Sequence, residues 1–127
     1  MNFSHESLKV YQRALDFIEY TNKILPNGNY QINVYHHLDR TSTSISLNIA
    51  EGTGKYTGKD KCRFYDIARR SALECTACLD TLFYRNKINK VLNEEGKNLL
   101  IEIVAMLIGL IKSSSDRVYE VETEYTV

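Results

Sequence analysis

The sequence predicts an all-α protein: an antiparallel up-down four-helix bundle forming a single domain over residues 1–127. Three observations predict it. Apolar residues recur at steps of three and four in four separate stretches, as amphipathic helices require. Short polar connections join the stretches. One proline and six glycines in 127 residues leave long segments free of helix breakers. No internal repeat or domain-separating linker is present, and a chain of this length supports one core. The helices are expected at about residues 4–25, 32–51, 58–85 and 94–119.

In the first, Leu8, Tyr11, Leu15, Ile18 and Leu25 form the stripe, with Asn22 in the same series. Ser4 is the expected N-cap, and Glu6 adds an acid to the first turn. Pro26-Asn27-Gly28-Asn29 stops the helix and turns the chain.

The second segment reads two ways. Val34, Leu38, Thr41, Ile45 and Asn48 follow a helical stripe, yet Thr43, Ile45, Leu47 and Ile49 alternate as a strand would. Its serines and threonines weaken helix propensity. A lone strand has no partner among three helices, so helix is expected. Gly52 or Gly54 supplies its stop.

The third opens with Thr57 and Asp60, a capping box with Asp in place of Glu. Tyr65, Ala68, Ala72, Cys75, Leu79 and Leu82 form its stripe, and the small residues in the middle admit a close neighbour. In the fourth, Asn93 is the expected N-cap, with Glu94 and Glu95 at the positive end of the dipole. Leu99 to Ile111 is apolar nearly all round, so this helix should be buried on more than one side, which points to self-association. The tail, residues 120–127, is acidic and expected to fray.

Sixteen basic and sixteen acidic side chains give zero formal net charge, which argues against a strongly electropositive nucleic-acid binder but permits a local patch. Three cysteines, an odd number without a secretion signal before them, point to free thiols and a cytoplasmic location. The longest apolar run is broken by Glu102 and too short for a membrane span.

The stretch from Asn48 to Asp60, NIAEGTGKYTGKD, holds three of the six glycines. It is not a phosphate-binding P-loop. The glycine spacing is wrong, and Asp60 follows Lys59 where magnesium coordination needs a hydroxyl. Gly52, Gly54 and Gly58 instead permit a tight exit from one helix and entry to the next. Arg40, Ser44, Asn48 and Glu51 share one helix face, and Ser71 and Glu74 share another; we read them as a hydrogen-bonded structural layer. No Glu-x-x-His motif is present, so no di-metal site is expected. Cys75-Thr-Ala-Cys78 lies mid-helix on the small-residue face and reads as core thiols rather than a redox pair. No nucleophile–base arrangement is present. The chain is expected to be non-enzymatic, with no cofactor and no metal.

The basic residues are the best candidate binding surface. Lys55, Lys59, Lys61, Arg63, Arg69 and Arg70 are opposed only by Asp60 and Asp66. Tyr56 and Tyr65 are interleaved and could stack on bases.

Leu38 to Gly52, LDRTSTSISLNIAEG, resembles the bacterial four-helix-bundle family encoded in intervening sequences of large-subunit ribosomal RNA genes. That family reads R-A-x-x-S-I-x-x-N-I-A-E-G; this chain supplies Arg40, Ser44-Ile45 and Asn48 to Gly52, and departs at Thr41. Phe64, Ile67-Ala68, Ser71 and Glu74 match its F-x-x-I-A-x-x-S-x-x-E element. Met106-Leu107 and Leu110-Ile111 resemble its last helix. The resemblance implies an up-down bundle and a cytoplasmic homo-oligomer, a pentamer in related bundles. A relative, the accessory variability determinant of diversity-generating retroelements, binds a reverse transcriptase and nucleic acid through a basic surface. The resemblance therefore implies an accessory protein with RNA, DNA or a nucleic-acid enzyme as partner; a purely self-assembling module is the alternative.

Overall fold

The structure, a computed structural model, describes residues 2–115. The expected last turn of the fourth helix at 116–119 and the acidic tail at 120–127 lie outside the described residues. A 3₁₀ turn at Ser4–Ser7 precedes four helices: α1 (Lys9–Thr21), α2 (Asn33–Thr53), α3 (Gly58–Tyr84) and α4 (Lys90–Ser114). They pack in ring order, α1 on α2, α2 on α3, α3 on α4 and α4 back on α1, with no diagonal pair in contact among the described residues. Cross-links show the antiparallel sense. Along the α1–α4 seam Tyr20 meets Leu92 and Arg13 meets Glu102; along α3–α4 Asp80 meets Lys97 and Cys62 meets Ile111.

The core lies between all four helices. Phe17, Leu38, Ile45, Leu79, Leu100 and Ile103 are wholly buried, and each such side chain contributes about 1.5–3 kcal/mol. The expected stripe of α3 is buried at every position. Helix α2 resolves the strand ambiguity in favour of helix; it buries Leu38, Thr41 and Ile45, while Val34 and Asn48 sit half-buried at the margins.

α1 turns a different face inward from the one expected. Val10, Ala14, Phe17, Tyr20 and Thr21 are buried, whereas Leu15 is 39% exposed and Asn22 faces solvent. Leu8, Tyr11 and Ile18 are half-buried flanks. Ser4 does not cap a long helix: it starts the separate 3₁₀ turn, and the extended Leu8 precedes α1 with no side-chain cap. α1 also ends earlier than expected, at Thr21 rather than Leu25: the backbone loosens into turns, with Lys23 N–H donating to Tyr20 O and Ile24 N–H to Thr21 O, before it reaches the Pro26–Asn29 turn, where Gly28 takes φ 85°, a left-handed conformation suited to glycine.

Thr57 caps α3 as expected, its Oγ1 accepting from the Asp60 N–H at 3.1 Å. The helix closes with a Schellman motif. The Asn86 N–H donates to Phe83 O and the Lys87 N–H to Leu82 O, with Asn86 left-handed at φ 62°. α4 begins one turn earlier than expected. Asn89, not Asn93, is its cap and accepts from the Leu92 N–H at 2.8 Å. Asn93 is instead buried inside the helix, its Nδ2 3.4 Å from Asp80 Oδ1. Its own Oδ1 has no partner among the described residues.

Gly52 and Gly58 are there for space rather than for left-handed backbone. Helix α2 runs straight through the buried Gly52, whose Cα faces the Tyr65 ring. Gly54 ends it in a right-handed conformation, φ −79°. At Gly58 a Cβ would collide with the Ser114 carbonyl, so the end of α4 sits directly on the start of α3.

Candidate nucleic-acid and partner interface

The α2–α3 seam is polar in its middle. Ser71 Oγ on α3 donates to Ser44 Oγ at 2.9 Å. Asn48 Nδ2 donates to the same hydroxyl at 3.0 Å and to the Ser44 carbonyl at 2.9 Å. One turn up, Arg40 Nη2 donates to His37 Nδ1 at 3.1 Å. Arginine cannot accept, so the His37 ring proton belongs on Nε2, from which it donates to Glu74 Oε2 at 2.9 Å. The structure thus joins Ser44, Asn48 and Ser71 directly, and Arg40 and Glu74 through His37. Sequence reasoning missed His37; its place one turn before Arg40 and Thr41 was the available signal. Glu51 stands apart, exposed, 3.7 Å from Lys55.

The hydroxyl of Thr41 has two uses. It donates to the His37 carbonyl at 2.8 Å and accepts from the Cys75 thiol at 3.2 Å. Burial pushes the Cys75 thiol up to about 12 and raises Cys78 too, so both are protonated core groups. All three cysteines are free. Among the described residues no group of His, Cys, Asp and Glu could hold a metal ion, and no helix is long and apolar enough to cross a membrane.

The six candidate basic residues do not make one continuous patch. Lys55 and Lys61 turn back onto α2. Lys61 Nζ donates to the Thr53 carbonyl at 2.9 Å, and Lys55 lies near Glu51 and over the Phe64 ring. Arg70 pairs with Asp66 at 3.2 Å. The other three, Lys59, Arg63 and Arg69, line an open groove of about 530 Å³ between α3 and α4. Lys112 of α4 joins them, and Ile108 and Ile111 supply an apolar floor. Cys62 also lines it, its thiol donating to the Ile111 carbonyl at 3.4 Å. Among the described residues Asp66 is the one acid on the wall, and it holds Arg69 at 2.9 Å. Arg63 reaches Asp60 at 3.8 Å. Tyr56 is fully exposed beside this end of the bundle, whereas Tyr65 is buried, with its hydroxyl on Thr53, and cannot stack on a base.

Helix α4 also keeps an uncovered apolar ridge. Ile101 is 66% exposed and Ile108 40%. Among the described residues, the all-round apolar pattern of this helix is therefore satisfied on the core side only.

A search of curated proteins returns no match. Among solved structures, the chain is similar to a protein of unknown function from the S23 ribosomal protein family of Bacteroides thetaiotaomicron VPI-5482. The two are 28% identical with a TM-score of 0.74, over 81% of this chain and 98% of that one. Residues 6–109 match the family described as 23S rRNA-intervening sequence protein. That span takes in all of α1, α2 and α3 and most of α4, and the chain belongs to that family.

Proposed function

We propose that the protein is a non-enzymatic, homo-oligomeric accessory or scaffold bundle that binds RNA, or the nucleic acid of an RNA-handling enzyme, through the α3–α4 groove. The observation that carries this reading is the grouping of Lys59, Arg63, Arg69 and Lys112 around an apolar floor on a chain of zero net charge. Such a groove attracts a phosphate backbone with its rim and offers its floor to base faces. Membership in the intervening-sequence family supports it. The α2–α3 seam supports the non-enzymatic half. Its polar groups are engaged with one another, Ser44 with Asn48 and Ser71, and His37 with Arg40 and Glu74.

The test is a gel-shift titration of structured and single-stranded RNA over a range of salt. Three phosphate contacts on a single strand give a slope of about −2 in log affinity against log salt. Lys59→Ala and Arg63→Ala should each weaken binding without altering the fold. A folded wild-type protein that binds no RNA at low salt rules the reading out.

The exposed Ile101–Ile108 ridge favours a second reading, a self-assembling module without nucleic-acid affinity. The pentamer implied by resemblance is its specific form. Light scattering decides it: a stable monomer at micromolar concentration defeats self-assembly, and Ile101→Glu should dissociate an oligomer built on this ridge.

A further inference from the structure

The outward face of α4 has the same spacing read from either end. Among the described residues, Glu94, Asn98, Ile101, Ala105, Ile108 and Lys112 are all exposed, at steps of four, three, four, three and four. That is the spacing of a coiled-coil seam, here turned away from the other three helices. The series is centred level with Ile103. Its two ends, Glu94 and Lys112, stand nine residues to either side and carry opposite charge. Apolar and small side chains fill the middle: Ile101 is 66% exposed, Ile108 40%, and Ala105 lies between them.

A second copy of the same helix fits this face in one sense. Laid antiparallel about a twofold axis at the level of Ile103, it sets its Lys112 against Glu94, its Ala105 against Ile101 and its Ile108 against Asn98. Each contact then recurs on the other side of the axis. Large meets small at the centre, so the two helices can approach closely. Opposite charges meet at both ends, and Asn98 lies toward the ends, where water reaches it, which gives an apolar centre with polar rims. A parallel pairing would put Glu94 on Glu94 and Lys112 on Lys112, so the charges select the antiparallel sense. Val104, half-buried beside the stripe, comes close to the axis on one flank. Glu102 does so on the other, its charge already met by Arg13 at 3.1 Å and Lys9 at 3.6 Å. Glu94 gives up only an exposed, long contact, 3.8 Å to Lys90. The eighteen helical steps from Glu94 to Lys112 cover about 27 Å. One helix seam of that length sits at the low end of specific interfaces, so the pairing should be micromolar rather than nanomolar.

We propose that α4 pairs with α4 of a second copy, antiparallel and twofold, through the face from Glu94 to Lys112. The pairing rests on the self-assembly reading above and gives it a closed form. A twofold surface is used up at two copies, whereas a pentamer needs a head-to-tail one.

Ile108 and Lys112 also line the α3–α4 groove, so the test is made without RNA. Sedimentation velocity of the full-length protein, run over a micromolar concentration series, reads the mass. Wild type should pass from monomer to dimer and stop there. Glu94→Lys and Lys112→Glu should each weaken dimerisation about tenfold, because both end pairs then set like charges together. An equimolar mixture of the two variants should dimerise as wild type does, since each end of one variant meets the opposite charge on the other. High salt should weaken the wild-type and mixed dimers alike. Ala105→Lys, at an exposed position in the apolar centre, should abolish the dimer while leaving the helical circular dichroism unchanged. A mixture of folded variants that stays monomeric overturns the pairing, and so does a dimer that persists in Ala105→Lys. A wild-type pentamer, or an oligomer that the charge variants leave unaltered, overturns the pairing and leaves self-assembly standing. A wild type that stays monomeric throughout the series overturns both.

Discussion

The Tyr20 ring lies across the backbone of Gly96, and its hydroxyl donates to the carbonyl of Leu92, one turn earlier in α4. A Cβ at Gly96 would stand 2.6 Å from Tyr20 Cε2 and 2.6 Å from Leu79 Cδ1. The ring is pinned by its hydrogen bond and cannot give way. Gly96→Ala should therefore destabilise the bundle by about 1–3 kcal/mol, the cost of overpacking, despite alanine's better helix propensity. Gly109 is the control on the same helix, with nothing within 4 Å of its added Cβ. Gly109→Ala should stabilise by about 0.5–1 kcal/mol. Urea denaturation of both variants checks the pair, and the same sign for both would sink the packing account.

Asn48 and Glu51 stand three residues apart on α2 but separate in role. Asn48→Leu removes a donor that serves both the hydroxyl and the carbonyl of Ser44, and should cost about 1 kcal/mol. Glu51→Ala removes only an exposed pair with Lys55 and should stay within about 0.5 kcal/mol. Denaturation read beside light scattering separates fold from assembly. A loss of oligomer in Glu51→Ala at unchanged stability would place Glu51 at a contact between copies.

Asp80 ties α3 to α4, through the Lys97 ammonium and the Asn93 amide. The hydrogen bond from Lys97 is the largest cause that lowers its pKa, with partial burial opposing it and Asn93 adding to it. A carboxylate held below its unfolded value stabilises fully above that value, about 4 for Asp, and loses the contribution as pH falls through and beneath it. Wild type should therefore exceed Asp80→Asn in stability at neutral pH, with the gap closing in acid. Melting curves at neutral and acidic pH measure the gap; a constant gap would refute the linkage.

The thiols should divide cleanly. Cys75 and Cys78 are buried and held protonated, while Cys62 is half-buried at a groove wall. Alkylation near neutral pH should modify Cys62 alone in the folded protein and all three after unfolding. Modification of Cys75 at the same rate as Cys62 would mean that the α2–α3 seam opens readily.

The helices were legible in the sequence to differing degrees, for physical reasons. α3 was read correctly in cap and stripe because its inward face is small and apolar while its flanks are charged, so one periodicity stands out. α1 carries two apolar stripes side by side. Counting Leu8, Leu15 and Ile18 could not reveal that Ala14 and Phe17 point inward, since that choice depends on how close α2 and α4 approach. The start of α4 was misplaced because Glu94 and Glu95 make Asn93 look like a cap, whereas Asn89 caps a first turn that carries Lys90 against the dipole. The candidate interface was half legible. Charges close in sequence diverge on a helix, and Lys61 lies about 200° around α3 from Lys59. Lys112, more than forty residues away, completes the groove, and only the fold brings it there.

The ring order of the bundle carries a consequence for how the chain folds. Every interhelical seam except one joins helices consecutive in the chain; closing α1 on α4 alone brings the first helix to the last. The α2–α3 hairpin closes across a short connection, so it can form early at low entropic cost. α1, only 13 residues long, gains its full burial once α4 has arrived. Amides of α1 should therefore exchange with deuterium ahead of those in α2 and α3, which makes the first helix the last to dock and the first to leave.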